Sequence, residues 1–437
     1  MAATITKTKL GIASYETQIS EQPMNDAAVQ GSSPLGHLLR RSVRLLGPGV
    51  VVMLADTDAG SVITVSQSGA RWGYRLLALQ VLLIPCLFVA QELTVRLALC
   101  TQRGFGELVT QHFGRGLARF SMATLLISCF GGLLTEISGL AEVGQLFGVP
   151  IWLSATIVCG SVCVVVWTGN HLQVERLALA LGTFELAFFV VAWAAHPRWS
   201  DLASQLMDQP LHSPGYLYLI AANIGTTVMP WMLFYQQTAL LGKGLGPADL
   251  RAARIDTLGG AVLCQIVTVA VLVGSATAFN GSHQSLSSVP QIAAAFTSAL
   301  GSTIGRLVFA LALSGSALVA MLIIGQSTMW ALQEMLGRKQ KSALSSRLDS
   351  WFGLAFAALL FAAGILVSSG VSLVRLSLAT GVLNALILPV ILGLLMHLTQ
   401  RVLPEHVRLR AGHAIGVSIT LIATCIFGLY AGLGGIL

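Results

Sequence analysis

The sequence predicts an all-α integral membrane protein with eleven transmembrane helices. Three observations carry that reading. Only 10% of the 437 residues are Asp, Glu, Lys or Arg, where a soluble domain has about 25%. The hydrophobic share is 55% and the mean hydropathy is +0.78. The apolar residues also form continuous runs long enough to cross a bilayer as helices, which is not the pattern of a barrel.

Taken in order, the first 36 residues are polar, carry Lys7 and Lys9 and lack an apolar core. They are expected to be a flexible cytosolic tail and not a secretory signal. Residues 37–437 then form a single transmembrane domain. Its apolar runs lie near 45–68, 76–99, 120–143, 151–167, 177–193, 216–241, 258–279, 307–336, 351–368, 376–397 and 414–433, each read as one span. With the N-terminus inside and strict alternation, Arg71, Arg75, Arg198, Arg306 and Arg375 fall outside and the other twenty of the 25 Lys and Arg residues fall inside. That asymmetry is the positive-inside pattern of a plasma or inner membrane protein, and it puts the C-terminus outside. The net charge of +7 therefore reflects topology and not a nucleic-acid partner. The two longest outside loops are 194–215 and 280–306, and the second carries the sequon Asn280-Gly281-Ser282.

Several function classes find no support. The seven cysteines lie in or beside apolar runs without a CxxC pair and read as small buried hydrophobes. No HExxH or GxSxG motif occurs, and the nine histidines sit in the tail, in loops or at helix ends. The chain is thus not expected to be an enzyme or to hold a cofactor.

Two runs are interrupted by polar and helix-breaking residues. The first contains Asp56-Thr57-Asp58-Ala59-Gly60-Ser61, and the sixth contains Gly225-Thr226-Thr227-Val228-Met229-Pro230. Proline removes a helical hydrogen bond and glycine lowers the cost of unwinding. Ala59, Gly60 and Pro230 are the expected break residues. Irregular backbone at the membrane midplane must face protein or water. A matched pair of broken spans points to an inverted-repeat transporter, here with repeats at about 45–193 and 216–397 and an extra helix at 414–433. Two unrelated kinks are the alternative.

An acid at the bilayer centre costs about 3 kcal/mol or more unless paired, and no Lys or Arg lies in the central part of any run. A cationic substrate is the simplest partner. Asp58 offers a carboxylate, Ser61 a hydroxyl, Thr226 a carbonyl and Met229 a thioether. That mixture suits Mn²⁺, Fe²⁺ or a neighbouring transition metal. The structural alternatives are a protonated Asp58 and a space-filling Met229. Asp56 reads equally as a second ligand, a proton acceptor or an N-cap. Asn384, Gln236 and Gln237 either line the cavity or bond neighbouring helices. Glu92 and Arg96 form an expected i,i+4 pair. Glu185 is an intramembrane acid without an evident partner.

These motifs resemble those of the natural resistance-associated macrophage protein (Nramp) family of divalent metal transporters. That family carries Asp-Pro-Gly-Asn in its first helix and Ala-x-x-Met-Pro-His in its sixth. Here the first reads Asp58-Ala59-Gly60-Ser61, after "GPGVVVMLA" and before "QSGARWGYRLL", and the sixth ends in Met229-Pro230-Trp231. "LFGVPIW" at 146–152 resembles the family's junction between helices three and four. The resemblance implies a LeuT-like fold of five plus five helices, alternating access, and metal transport usually coupled to protons, with membrane lipid and possible protons beside the divalent metal, itself the substrate. It carries the metal site over to Asp58, Ser61, Met229 and the Thr226 carbonyl.

Four departures matter: Ala59 for proline, Ser61 for asparagine, Thr226 for alanine and Trp231 for histidine. The family's proton route uses acids in helix three, which Glu136 resembles, and basic residues in helix nine, of which "WFGLAFAALLFAAGILVS" has none. Asp56, Glu136 and Asn384 are the remaining candidates for supporting the ligands or handling protons. Uncoupled transport of a harder ion such as Mg²⁺, or a small organic solute on the same fold, are the alternatives. A channel is a fourth class.

Overall fold

The computed structural model describes residues 48–168, 171–194, 196–197, 199–279, 286, 288–335, 350–370, 372–405, 407–408 and 411–436. The expected tail at 1–36, the sequon and the basic cluster around Arg338 lie outside the described residues. Among those described, the chain is helical with no strand.

In chain order the helices are α1 (Pro48–Asp56), α2 (Ala59–Trp72), α3 (Leu77–Thr101), α4 (Phe105–Phe113), α5 (Arg115–Leu146), α6 (Ile151–Thr168), α7 (His171–Gly182), α8 (Ala187–Ala194), α9 (Trp199–Met207), α10 (Pro214–Thr227), α11 (Pro230–Gly242), α12 (Leu250–Phe279), α13 (Val289–Leu300), α14 (Ser302–Met335), α15 (Ser350–Ser368), α16 (Leu373–Val402) and α17 (Ala411–Ile436). Every apolar run read from the sequence falls on one or more of these helices. By length and composition, eight described helical segments are able to cross a membrane, and the bent pair α1 and α2 makes a ninth. The apolar helices at Ile151–Val166 and Gly353–Ser368 are shorter, so these criteria give nine spans where eleven were expected. Three helices were not anticipated. α4 follows the second span, and α9 and α13 occupy the two long loops that were expected to lie outside.

The first span bends by 51° between α1 and α2, and the sixth is interrupted between α10 and α11. The halves cross reciprocally, α10 packing on α2 and α11 on α1. α12 packs along both halves of the first span, and its Asp256 Oδ2 accepts from the Gly49 N–H at 2.8 Å, capping the start of α1. Close helix contacts fix this crossing. A side chain at Gly225 would run into the backbone of Gly381, and a Cβ on Gly381 would lie 2.7 Å from the Ala222 carbonyl. A Cβ on Gly139 would lie 2.7 Å from that of Ala59, so α5 presses directly on the first-span break.

A third interruption was not anticipated. The fifth span changes from α7 to a 3-10 turn at Thr183–Leu186 and resumes as α8. Conversely, Pro85 and Pro389 sit inside the continuous helices α3 and α16.

Segments assigned to the same side of the membrane touch one another. On the expected inside, Lys243 pairs with Glu175 at 2.5 Å, Arg96 and Arg254 both reach Glu92, and the Gly106 N–H donates to Glu334. On the expected outside, Arg75 pairs with Asp208 and the Val289 N–H donates to Glu142.

Candidate functional site

The unwound residues of the first span are Thr57 and Asp58. This corrects the assignment of Ala59 and Gly60 to the break, because both already belong to the first turn of α2. The reason is capping. Asp58 is extended (φ −77, ψ 174) and its Oδ1 accepts from the Ser61 N–H at 2.6 Å, the N-cap geometry that starts a helix at the next residue. Asp58, and not Asp56, is therefore the N-cap. In the sixth span the break is Val228 and Met229, and Pro230 occupies the first helical position of α11. There its missing N–H costs nothing, so Pro230 starts the second half-helix.

Oxygen atoms from both breaks converge on Ser61. Its Oγ lies 2.7 Å from the Asp56 carbonyl, 2.8 Å from Asp58 Oδ1 and 3.2 Å from the Thr226 carbonyl. A hydroxyl has one proton to donate, so four oxygens share a space that one hydrogen bond does not use up. Asp58, Ser61 and Thr226 are buried, with exposures of 2%, 5% and 5%. The structure thus brings together three of the expected ligand residues and adds the Asp56 carbonyl, a main-chain donor that residue type does not reveal. The fourth, Met229, is buried at the sixth-span break, and its Sδ accepts from the Trp231 indole N–H at 3.2 Å. The tryptophan that stands for the family's histidine therefore holds the thioether.

Glu136 reaches the same point from α5. Its Oε2 accepts from the Ala59 N–H at 3.0 Å, and its Oε1 from the Thr135 hydroxyl at 3.2 Å. Its carboxyl group also lies within hydrogen-bonding reach of Asp58. Two acids thus gather at the N-terminus of α2, where the helix dipole favours negative charge.

The Asp56 carboxyl group turns away from these oxygens toward α12. Cys264 Sγ donates to its Oδ2 at 3.2 Å, and the Thr57 hydroxyl lies 3.6 Å from the same sulfur. The Cys264 sulfur thus touches the first-span break from α12. Asn384 is drawn elsewhere, accepting from Ser128 Oγ at 2.8 Å between α16 and α5. Gln236 bonds Thr257 and Gln237 bonds the Arg103 carbonyl, so both join neighbouring segments. Among the described residues, no three His, Cys, Asp or Glu side chains converge as the ligands of a resident metal would.

The comparisons with known proteins agree with this architecture. A model of the family "Natural resistance-associated macrophage protein-like" (Nramp) matches residues 49–433. The chain is 30% identical over 256 residues to the divalent metal cation transporter MntH 1 of Pseudomonas aeruginosa, covering 56% of this chain and 58% of that protein. It therefore spans less than two thirds of that relative's length. Among solved structures, a manganese transporter of Eremococcus coleocola superposes with a TM-score of 0.72 at 18% identity, over 94% of this chain and 90% of that one. MhsT in complex with L-phenylalanine superposes with a TM-score of 0.55 at 14% identity, over 89% and 98%. At these identities the likeness is one of fold, the LeuT-like arrangement with its first and sixth spans broken. The family match extends over both breaks and the helices that cross them, and the chain belongs to the Nramp family.

Proposed function

We propose that this multi-pass membrane protein is a secondary transporter of divalent metal cations of the Mn²⁺ or Fe²⁺ type, working by alternating access. One observation carries the reading. The Asp58 carboxylate, the Ser61 hydroxyl and the Asp56 and Thr226 carbonyls meet where two broken helices cross, buried and with no cationic side chain supplied by the central spans. A dication satisfies such a set, and an anionic solute does not. Met229 adds the soft donor that favours a transition metal over Mg²⁺. One carboxylate with neutral donors suits a cargo that must leave again, unlike the closed ligand sets of structural metals. The relatives named as divalent metal and manganese transporters support the reading.

A second reading follows from the Trp231 contact. With its sulfur held by an indole N–H, Met229 is a weaker donor, and the oxygens alone favour a harder ion such as Mg²⁺. Uptake into proteoliposomes of Mn²⁺ and Mg²⁺ separates the two. The main reading expects Mn²⁺ uptake in excess over Mg²⁺ and its loss on Asp58→Ala; uptake indifferent to that substitution refutes it. The positive-inside bias orients the N-terminus to the cytosol of a plasma or inner membrane and the C-terminus outside.

A further inference from the structure

We infer that the groove between α16 and α17 holds an acyl chain of an anionic phospholipid, whose headgroup sits at the His397 and Arg401 end. The inference is independent of the metal cargo. Only the assignment of that end to the cytosolic leaflet rests on the orientation proposed above.

The two helices pack closely in one half of their length. A Cβ on Gly428 of α17 would lie 3.8 Å from that of Ala385, and one on Gly432 would lie 3.1 Å from the Leu386 side chain. Pro389 follows on α16, inside a continuous helix. Proline cannot donate to the carbonyl four residues earlier, which weakens the turn at that point. Beyond it the helices part. A groove of about 410 Å³ runs from Pro389 and Leu429 at one end to Gln400 and Ser418 at the other. Within that stretch, a Cβ on Gly393 would meet nothing within 4 Å. From Pro389 to Gln400 the helix rises about 16 Å, and half of a hydrocarbon core is about 15 Å. The groove is therefore one leaflet deep.

Its chemistry is graded along that depth. Leu392 and Leu421 form a buried floor, exposed by 2% and 4%, while Ile422 and Ile426 are lips exposed by 56% and 62%. An apolar gap of this kind forfeits dispersion contacts unless hydrocarbon fills it, and on a membrane span the hydrocarbon at hand is lipid. Polar side chains gather at one end. His397 and Gln400 are exposed there, and the His397 ring lies against Phe113 of α4 with centroids 5.0 Å apart. Residues 401–410, which join the two helices, hold Arg401, Arg408 and Arg410 against the single acid Glu405. Arg401 and Arg408 are exposed, and Arg408 Nε donates to the Leu403 carbonyl at 2.6 Å. An apolar slot one leaflet deep under a basic rim has the polarity of a phospholipid with a negative headgroup. Each arginine at that level attracts such a lipid by about 1 kcal/mol.

The test uses the full-length protein in mild detergent, with phosphatidylglycerol and phosphatidylcholine of identical chains as probes. Native mass spectrometry should show phosphatidylglycerol retained on the monomer in preference to phosphatidylcholine. Gly393→Trp fills the groove and should remove that retained lipid. His397→Ala combined with Arg401→Gln leaves the groove open and should weaken phosphatidylglycerol binding about fivefold or more, with phosphatidylcholine unmoved. Should the tryptophan variant not fold, the double variant carries the test alone. Equal retention of the two lipids, retention indifferent to Gly393→Trp, or an equal loss of both lipids in the double variant overturns the inference. So does a lipid-free dimer that Gly393→Trp dissociates, because a second copy of the chain would then occupy the groove.

Discussion

The backbone N–H of Ala59 donates to Glu136 Oε2 at 3.0 Å. At this position the family pattern has a proline, which has no N–H to satisfy. Replacing proline by alanine creates a buried donor at the first position of α2, and the third span supplies its acceptor. An unsatisfied buried donor costs about 1–3 kcal/mol, so Glu136→Ala should lower the thermal midpoint of the detergent-solubilised protein. Ala59→Pro should restore part of the loss, because it removes the orphaned donor. The backbone permits it: Asp58 is extended, as a residue before proline prefers, and proline suits the first helical position. The four midpoints form a double-mutant cycle, and strict additivity would disprove the compensation.

Asp58 and Met229 should fail differently. Asp58→Ala removes the one carboxylate among the converging oxygens and should abolish the heat of Mn²⁺ binding in titration calorimetry. Met229→Ala removes only the soft donor. It should reduce the preference for Mn²⁺ over Mg²⁺ by about tenfold, equivalent to ~1.4 kcal/mol, through weaker Mn²⁺ binding. An equal loss for both ions would mean that the thioether is not a ligand and would favour the harder-ion reading.

The two breaks were legible because each combines residues that do not belong in hydrocarbon. Asp58 beside Gly60, and Met229-Pro230 after two threonines, stand out in an apolar run. The position of the break within each motif was not legible. It depends on the Asp58 side chain capping the Ser61 N–H, a three-dimensional event that turns Ala59 and Gly60 into helix. Proline alone was a poor guide, since Pro85 and Pro389 sit inside continuous helices while Pro230 starts one. The 3-10 turn at Glu185 left no trace of its own in the local sequence, for it follows from glycine-mediated packing on α1 and α14. Likewise, the chain gave no sign that the Asp56 carboxyl group turns to Cys264, 208 residues away, and leaves only its carbonyl at the site.

Glu92 ties the end of the second span to the start of α12. Its Oε1 lies 2.5 Å from Arg96 Nε and 2.8 Å from Arg254 Nε, and its side chain is 2% exposed. Glu92→Gln leaves two guanidinium groups without their counter-charge. Breaking a buried pair from one side costs about 3–5 kcal/mol, although Arg254, with 34% of its side chain exposed, regains water and reduces that figure. Arg96, with 10% of its side chain exposed, still reaches the Val407 carbonyl at 2.8 Å but regains less water. Thermal midpoints should therefore fall more for Arg96→Met than for Arg254→Met. The reverse order would place the weight of the cluster on the wetter pair.

Two glycines of α16 should respond with opposite signs to the same substitution. A Cβ on Gly381 would meet the Ala222 carbonyl at 2.7 Å, the Thr226 methyl at 2.9 Å and Ala222 Cα at 3.0 Å. Two of these three atoms are backbone, which no rotamer change moves aside. The nearby Gly225 is equally filled by the backbone of α16. Gly381→Ala must therefore push α10 away from α16, at a cost of about 1–3 kcal/mol. Because Thr226 lies on the displaced helix, its carbonyl also leaves Ser61, and Mn²⁺ binding should weaken. A Cβ on Gly393, twelve residues along the same helix, meets nothing within 4 Å. There alanine only improves helix propensity, by up to about 1 kcal/mol, and should raise the thermal midpoint while leaving Mn²⁺ binding as it was. Equal effects at the two sites would mean that the crossing of α10 and α16 tolerates a methyl group, and that the glycines do not set the position of the sixth-span break.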